Sequence, residues 1–339
     1  MPDKIKNDPV IAMIGCGTIS EIFYFPALRK FPAIFKNLIL IDPNQERLNQ
    51  LAKEFSISKT CTSYQKLLDH EMDAVILTAP NQFHYSIAVE FLQRKIPVLC
   101  EKPLAITIED AKKMVDIAQN YNVLLLTNYQ RRLYASYQKV QELLKRRVLG
   151  EPLEFSYLEG QKYSWPIVSG SRFDTKVSKR GVLLDRGAHV LDTACWWLGG
   201  KPKTVSSYND SFGGCEAIAH VDFEYETCKG QIRLSLLGDL PCLYQIKCEH
   251  GSIEGDIYDF QNFWLKQNGQ KKRLIKLKTK EKKYADFGIT IVSNFINVLQ
   301  GREEPLIKGC DVLESINWID ECYELASRLN MPWYENLEI

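Results

Sequence analysis

Short apolar runs punctuate the first third of the chain: VIAMI at 10–14, LILI at 38–41, AVIL at 74–77, PVLC at 97–100 and VLLLT at 123–127. Between them lie longer stretches whose apolar positions recur with helical spacing. The runs are apolar at consecutive positions, as in strands covered on both faces, so the pattern predicts a parallel sheet with helices above and below. Thr107-Ile-Glu-Asp110 ahead of an Ala/Val/Ile pattern has the form of a capping box and starts one of those helices. A helical segment at about Ala135 to Arg147 then leads through Gly150-Glu-Pro152 into a different texture.

Beyond Pro152 the dominant period is two. Ala217, Ala219, Val221, Phe223 and Tyr225 alternate with Glu216, His220, Asp222 and Glu224, which places the polar set on the solvent side. Ile232, Leu234 and Leu236 continue the period after a Thr227-Cys-Lys-Gly230 turn. Helical pattern returns at about Leu183 to Leu198, Asp286 to Gln300 and Asp311 to Leu329. The predicted fold is α/β: an N-terminal parallel-sheet domain over 1–128, then a C-terminal α+β domain over 129–339 with an open, mainly antiparallel sheet. The last helix is placed to pack back on the first domain. An open sheet must cover its apolar face with helices or with another copy, and the second option predicts a homodimer or homotetramer through that sheet.

Composition narrows the classes. The 339 residues carry 43 Lys plus Arg against 42 Asp plus Glu, a formal charge of +1, so no overall field recruits nucleic acid or anionic lipid. The basic stretch Lys271 to Lys283 alternates Ile275, Leu277 and Thr279 with lysines and reads as an edge strand protected by charge, the alternative being a polyanion site. No apolar run is long enough to cross a bilayer. The ten cysteines form no C-x-x-C pair and several lie in apolar runs, which points to reduced thiols and a cytoplasmic setting. Five scattered histidines without a ligand spacing argue against a metal site, and none is assigned.

Ligands of open parallel sheets lie outside the carboxyl ends of the strands. After the first run comes Gly15-Cys-Gly17-Thr18-Ile19-Ser20, a G-x-G-x-x-S turn opening a helix, whose backbone N–H groups suit a pyrophosphate. The second run ends in Asp42, where a carboxylate accepts bonds from adenosine ribose hydroxyls and repels a 2′-phosphate, favouring NAD(H) over NADP(H); the alternative is a cap on the following helix. Arg47, one helical turn on, is able to meet a phosphate and weakens that preference.

Later runs are followed by Thr78-Ala-Pro80-Asn81-Gln-Phe-His84 and Cys100-Glu101-Lys102-Pro103. With the glycine turn and Gly181-Val-Leu-Leu-Asp185-Arg-Gly-Ala-His189-Val-Leu-Asp192, these motifs resemble the glucose-fructose oxidoreductase/inositol dehydrogenase/MocA family over residues 9 to 329. The resemblance implies a Rossmann domain and an oxidoreductase moving hydride between nicotinamide and a secondary alcohol of a sugar, cyclitol or nucleotide-sugar. Its implied catalytic residues are Lys102, Asp185 and His189. Lys102 would stabilise the oxyanion; His189 would take the hydroxyl proton, with Asp185 at i−4 orienting it. Asp192 would brace the helix. Pro80, Asn81, Glu101 and Lys102 join Gly15, Gly17, Thr18, Ile19 and Asp42 as cofactor contacts, Asn81 alternatively as a helix cap, and His84 as a structural residue. A cis Lys102–Pro103 bond is a feature of the resemblance too.

Substrate-side candidates are Gln130 and Arg131 after the last run, and Tyr163, Trp165 and Arg172 in a stretch without periodicity, which reads equally as a surface loop. A second function class is a non-catalytic sensor or corepressor holding a dinucleotide, which would not need the Lys, Asp and His together.

Overall fold

The computed structural model describes residues 8–68, 72–166, 180–211 and 214–331. They fall into two compact units. One comprises the chain up to Gln130, with Pro166 and Glu281–Leu313; the other comprises Arg131–Trp165, most of the chain from there to Lys280, and the chain from Glu314 on.

The first unit is built on six parallel strands: β1 (Ile11–Ile14), β2 (Ile39–Ile41), β3 (Lys59–Cys61), β4 (Ala74–Leu77), β5 (Val98–Glu101) and β6 (Leu125–Asn128), in the order β3-β2-β1-β4-β5-β6. This is the order of a Rossmann sheet, with the reversal of direction at β1 and β4. Every residue of β1, β2, β4, β5 and β6 is buried, as the continuous apolar runs require. Edge strand β3, Lys-Thr-Cys, is exposed to half-buried and has no apolar run to announce it. Thr107 caps the helix Ile108–Asn120, its hydroxyl accepting from the Asp110 N–H at 3.2 Å.

This unit also contains a helix from far down the sequence, Tyr284–Leu299. It lies against the helical segment after β1 so closely that a Cβ on Gly288 would come within 2.5 Å of the Phe23 carbonyl oxygen. The helix that joins the Rossmann unit is thus this one. The last helix, Leu313–Glu324, belongs almost wholly to the second unit. Its reason is Trp318, which packs edge-on against Phe223 in that unit at 5.1 Å.

The second unit holds a nine-stranded sheet: β7 (Pro152–Gly160), β8 (Lys203–Asn209), β9 (Ile218–Tyr225), β10 (Cys228–Ser235), β11 (Cys242–Cys248), β12 (Gly251–Asp256), β13 (Asn262–Gln267), β14 (Arg273–Lys276) and β15 (Ala326–Arg328). The order is β14-β13-β12-β11-β7-β10-β9-β8-β15, antiparallel except for β7 with β10 and β8 with β15. The β9–β10 turn is Glu226-Thr227, with Cys228 already paired to Tyr225; the expected turn at 227–230 is shifted by the strand's own alternation. Helical pattern was expected through Leu329, but the chain leaves the helix after Glu324 and adds β15 at the sheet edge.

One face of this sheet is apolar and is covered from within the unit: Tyr137, Trp197 and Tyr244 meet with ring centroids 4.9 to 5.6 Å apart. The other face is mixed, with half-buried Leu158 paired to Leu243 and exposed Trp264 paired to Leu274 beside charged residues. There Glu224, Lys229, Glu154 and Lys247 follow one another across β9, β10, β7 and β11. Helices therefore supply the cover that the sheet's apolar face demands. At the far edge, β14 carries exposed lysine and arginine, and half-buried Ile275, Leu277 and Thr279 alternate with exposed lysines, although the strand itself ends at Lys276.

Candidate active site

In the first unit the glycine turn sits at the switch of strand order. Gly15 has φ +93°, and a Cβ there would lie 2.4 Å from the Ala79 backbone nitrogen, so glycine is required. Gly17 has nothing within 4 Å of a built Cβ; the turn is open on that side, as a pyrophosphate would need. The third motif position is used internally: Ser20 Oγ donates to the Gly15 carbonyl at 2.7 Å and lies 2.9 Å from Thr78 Oγ1. Thr18 is buried and its hydroxyl donates to the Pro166 carbonyl, while Ile19 directly precedes the helical segment from Ser20. Asp42 holds the turn as well as facing it, accepting from the Cys16 N–H at 2.8 Å and from the Asn44 N–H at 2.9 Å. Capping of the next helix falls to Asn44, whose side chain accepts from the Arg47 N–H. The residues present fit a dinucleotide.

Lys102 follows β5 and is half-buried, and its peptide bond to Pro103 is cis. The chain around it is fixed by two buried side chains. Glu101, 7% exposed, accepts from Tyr24 Oη at 2.7 Å and Asn128 Nδ2 at 2.6 Å on one oxygen, and from the Lys102 N–H at 3.0 Å on the other. Burial raises its pKa against these hydrogen bonds, which lower it. Besides the ribose contact that the resemblance implies for it, Glu101 in this geometry positions the Lys102 segment. His84 places its ring nitrogens 2.8 Å from the carbonyls of Pro103 and Ala79, tying the segment after β4 to the one after β5. Burial lowers its pKa while the two carbonyls pull the other way, which suits a brace. Pro80 is exposed and Asn81 half-buried; neither the turn Asn81–Phe83 nor the helix His84–Gln93 starts with a side-chain cap, so Asn81 is not used as one.

In the second unit Asp185 ends the short helix Val182–Asp185, and His189 is the third residue of Gly187–Leu198, with Arg186 between. His189 is 7% exposed and Asp185 half-buried. The start of this pair of helices is held by a residue that alternation had placed on the solvent side. Glu216 is 2% exposed, precedes β9, and accepts from the N–H groups of Gly181 at 2.8 Å and Leu183 at 3.0 Å and from Tyr323 Oη at 2.6 Å. A lone acid beside a period-two run carries no sequence signal for such a role. Asp192 braces the longer helix as expected, in a bidentate pair with Arg132 at 2.7 and 2.8 Å.

Arg131 is held by partners within its own unit. Its guanidinium is buried, donating twice to Glu159 at 2.9 Å and once to Tyr157 Oη at 2.8 Å, which ties it to β7. Gln130 is buried, with Nε2 at 3.5 Å from Tyr284 Oη. Tyr163 is half-buried and Trp165 exposed in a segment without regular structure, and Arg172 lies outside the described residues.

The model of an oxidoreductase family with an NAD-binding Rossmann fold matches residues 10–129, and that of the GFO/IDH/MocA C-terminal domain matches 137–254. The chain belongs to the Gfo/Idh/MocA family. Among curated relatives, a 1,5-anhydro-D-fructose reductase of Ensifer adhaerens is 29% identical over 59% of this chain and 60% of its own length. A D-glucoside 3-dehydrogenase of Escherichia coli is 28% identical over 71% and 69%. The chain thus spans between half and three-fifths of the length of the first curated relatives it matches. Solved Gfo/Idh/MocA-like folds include levoglucosan dehydrogenase with NADH and levoglucosan, at TM-score 0.79 and 16% identity over 93% of this chain and 96% of that one. Another is the WlbA dehydrogenase of Bordetella pertussis with NADH and UDP-GlcNAcA, at 0.77 and 20% over 94% and 96%. No described helix is long and apolar enough to cross a membrane.

Proposed function

We propose that the protein is an NAD-dependent oxidoreductase that interconverts a secondary alcohol of a sugar, cyclitol or nucleotide-sugar with the corresponding ketone. What carries this reading is the framework around Lys102: a buried carboxylate on its own N–H and a buried imidazole on the Pro103 carbonyl fix one ammonium-bearing segment at the carboxyl edge of the sheet. A solvated surface lysine needs neither.

Backbone groups of Gly15, Gly17, Thr18 and Ile19 would hold the pyrophosphate and Asp42 the adenosine ribose, favouring NAD(H). Pro80 and Asn81 would border the nicotinamide, which when bound supplies the hydride acceptor or donor. Lys102 donates a hydrogen bond to the reacting oxygen and stabilises its developing negative charge. His189 accepts the hydroxyl proton in oxidation and returns it in reduction, Asp185 orienting the ring. Gln130, Tyr163 and Trp165 are the candidate substrate contacts. The ten cysteines are all free thiols, which supports a cytoplasmic setting, and a homodimer or homotetramer through the second sheet completes the reading.

The test is a screen of sugars, inositols and nucleotide-sugars with NAD and NADP, following absorbance of the reduced cofactor. With a substrate in hand, Lys102→Ala and His189→Ala each lose turnover by about 100-fold or more while keeping NADH affinity. Parental turnover in both variants would sink the role assignments.

A further inference from the structure

The glycine turn carries a charged cluster that the dinucleotide reading leaves unused. Arg47 lies in the helix Gln45–Phe55, one turn past Asp42, and is 8% exposed. Its Nε donates to the Cys16 carbonyl at 2.8 Å, one terminal nitrogen donates to Gln50 Oε1 at 3.2 Å, and the other pairs with the Glu21 carboxylate. Asp42 meanwhile accepts the N–H of the same Cys16. The residue between the two glycines is gripped at both ends, by a carboxylate on its N–H and a guanidinium on its carbonyl.

That guanidinium is a cation beside the residue assigned to the adenosine ribose, where an unbalanced positive charge would welcome a 2′-phosphate. Glu21 is placed to oppose this in two ways. Its carboxylate neutralises the guanidinium, and it holds the guanidinium against the turn, where Nε donates to the Cys16 carbonyl. Glu21 stands in the helical segment after the turn, 26 residues from Arg47 in sequence, so no motif joins the two.

We propose that Glu21 sets cofactor selectivity by acting through Arg47: it locks and neutralises the guanidinium, leaving Asp42 to decide against a 2′-phosphate. The proposal rests on the dinucleotide-binding reading of this site. Glu21→Gln preserves shape and removes the charge. Arg47 then keeps its bond to the Cys16 carbonyl but adds an uncompensated positive charge near the ribose end of the site.

Binding measures this without a known substrate. Protein-fluorescence titrations with NADH and with NADPH give the ratio of their dissociation constants for the parent, for Glu21→Gln and for Glu21→Gln combined with Arg47→Gln. In Glu21→Gln the preference for NADH narrows by about five-fold, an effect of the size expected for one partly screened charge. The narrowing shrinks with added salt and disappears in the double variant. A ratio within two-fold (roughly, by the same scale) of the parent's in Glu21→Gln overturns the proposal, as does equal narrowing in the double variant. A parent that binds neither dinucleotide sinks the binding reading as well, so the two failures are distinguishable.

Discussion

Each unit of the molecule uses a buried glutamate and a tyrosine to hold a segment assigned to catalysis, and the two devices differ in reach. In the first, Glu101 acts on its neighbour, accepting the Lys102 N–H while Tyr24 and Asn128 converge on its other oxygen. In the second, Glu216 acts across 35 residues, accepting the first N–H groups of the segment that leads to Asp185 and His189, with Tyr323 donating to the same carboxylate. Glu101 ties side chains together at a strand end; Glu216 takes up backbone donors that a helix start leaves without intrahelical partners. Removing the first loosens a local network, whereas removing the second uncaps an element.

Truncation tests that difference most strongly. Glu216→Ala leaves two backbone N–H groups and the Tyr323 hydroxyl without their acceptor, and is expected to lower the unfolding free energy by about 3 kcal/mol. Glu101→Ala costs about 2 kcal/mol, because Asn128 Nδ2 already lies 3.2 Å from Tyr24 Oη and the two can satisfy each other. Denaturant unfolding of both variants checks the order. If Glu101→Ala is the more damaging, the distinction between network and cap is wrong.

Titration sharpens the comparison with a smaller effect. Burial raises the pKa of both carboxyls, while their tyrosine partners lower it. A carboxyl with a folded pKa above its unfolded value binds its proton more tightly in the folded chain. Its contribution to stability is full below the unfolded value and is lost as pH rises through the folded one. Glutamine does not titrate, so the melting temperature of the parent minus that of Glu101→Gln or Glu216→Gln falls as pH rises from about 4 to 7. A difference that grows over that window would reverse the assigned direction.

The sequence announces these two devices unequally. Glu101 stands inside Glu-Lys-Pro at the end of an apolar run, so its place is readable although its partners are not: Tyr24 and Asn128 are 77 and 27 residues away. The Rossmann sheet is readable for the same reason, since strands covered on both faces write themselves as continuous apolar runs, and only β3, short and exposed, escapes. Glu216 fails the reading because alternation reports which side of a strand a residue faces, and Glu216 lies before β9 begins. The partners of Arg131 are equally hidden, because position at a carboxyl edge does not reveal that Glu159 and Tyr157 will pair with the guanidinium. Tyr284–Leu299 joins a unit built 150 residues earlier, which depends on Gly288 meeting Phe23 and not on any local pattern.

The finest test removes only a hydroxyl from each device. Tyr323 Oη donates to Glu216 and accepts from the Leu184 N–H at 3.1 Å, so Tyr323→Phe strips both the carboxylate and a backbone group of a partner. Tyr24→Phe leaves Glu101 with Asn128 and with the Lys102 N–H, and leaves Asn128 with Glu101. Tyr323→Phe is therefore expected to cost about 1.5 kcal/mol and Tyr24→Phe about 1 kcal/mol by thermal unfolding. A readout specific to the first device separates positioning from bulk stability. The Tyr24 hydrogen bond lowers the Glu101 pKa, so Tyr24→Phe raises it further, and the fall in stability that accompanies that titration moves to higher pH. A Tyr24→Phe profile that keeps the parental midpoint would show that the hydroxyl fills space beside Glu101 without sharing its charge.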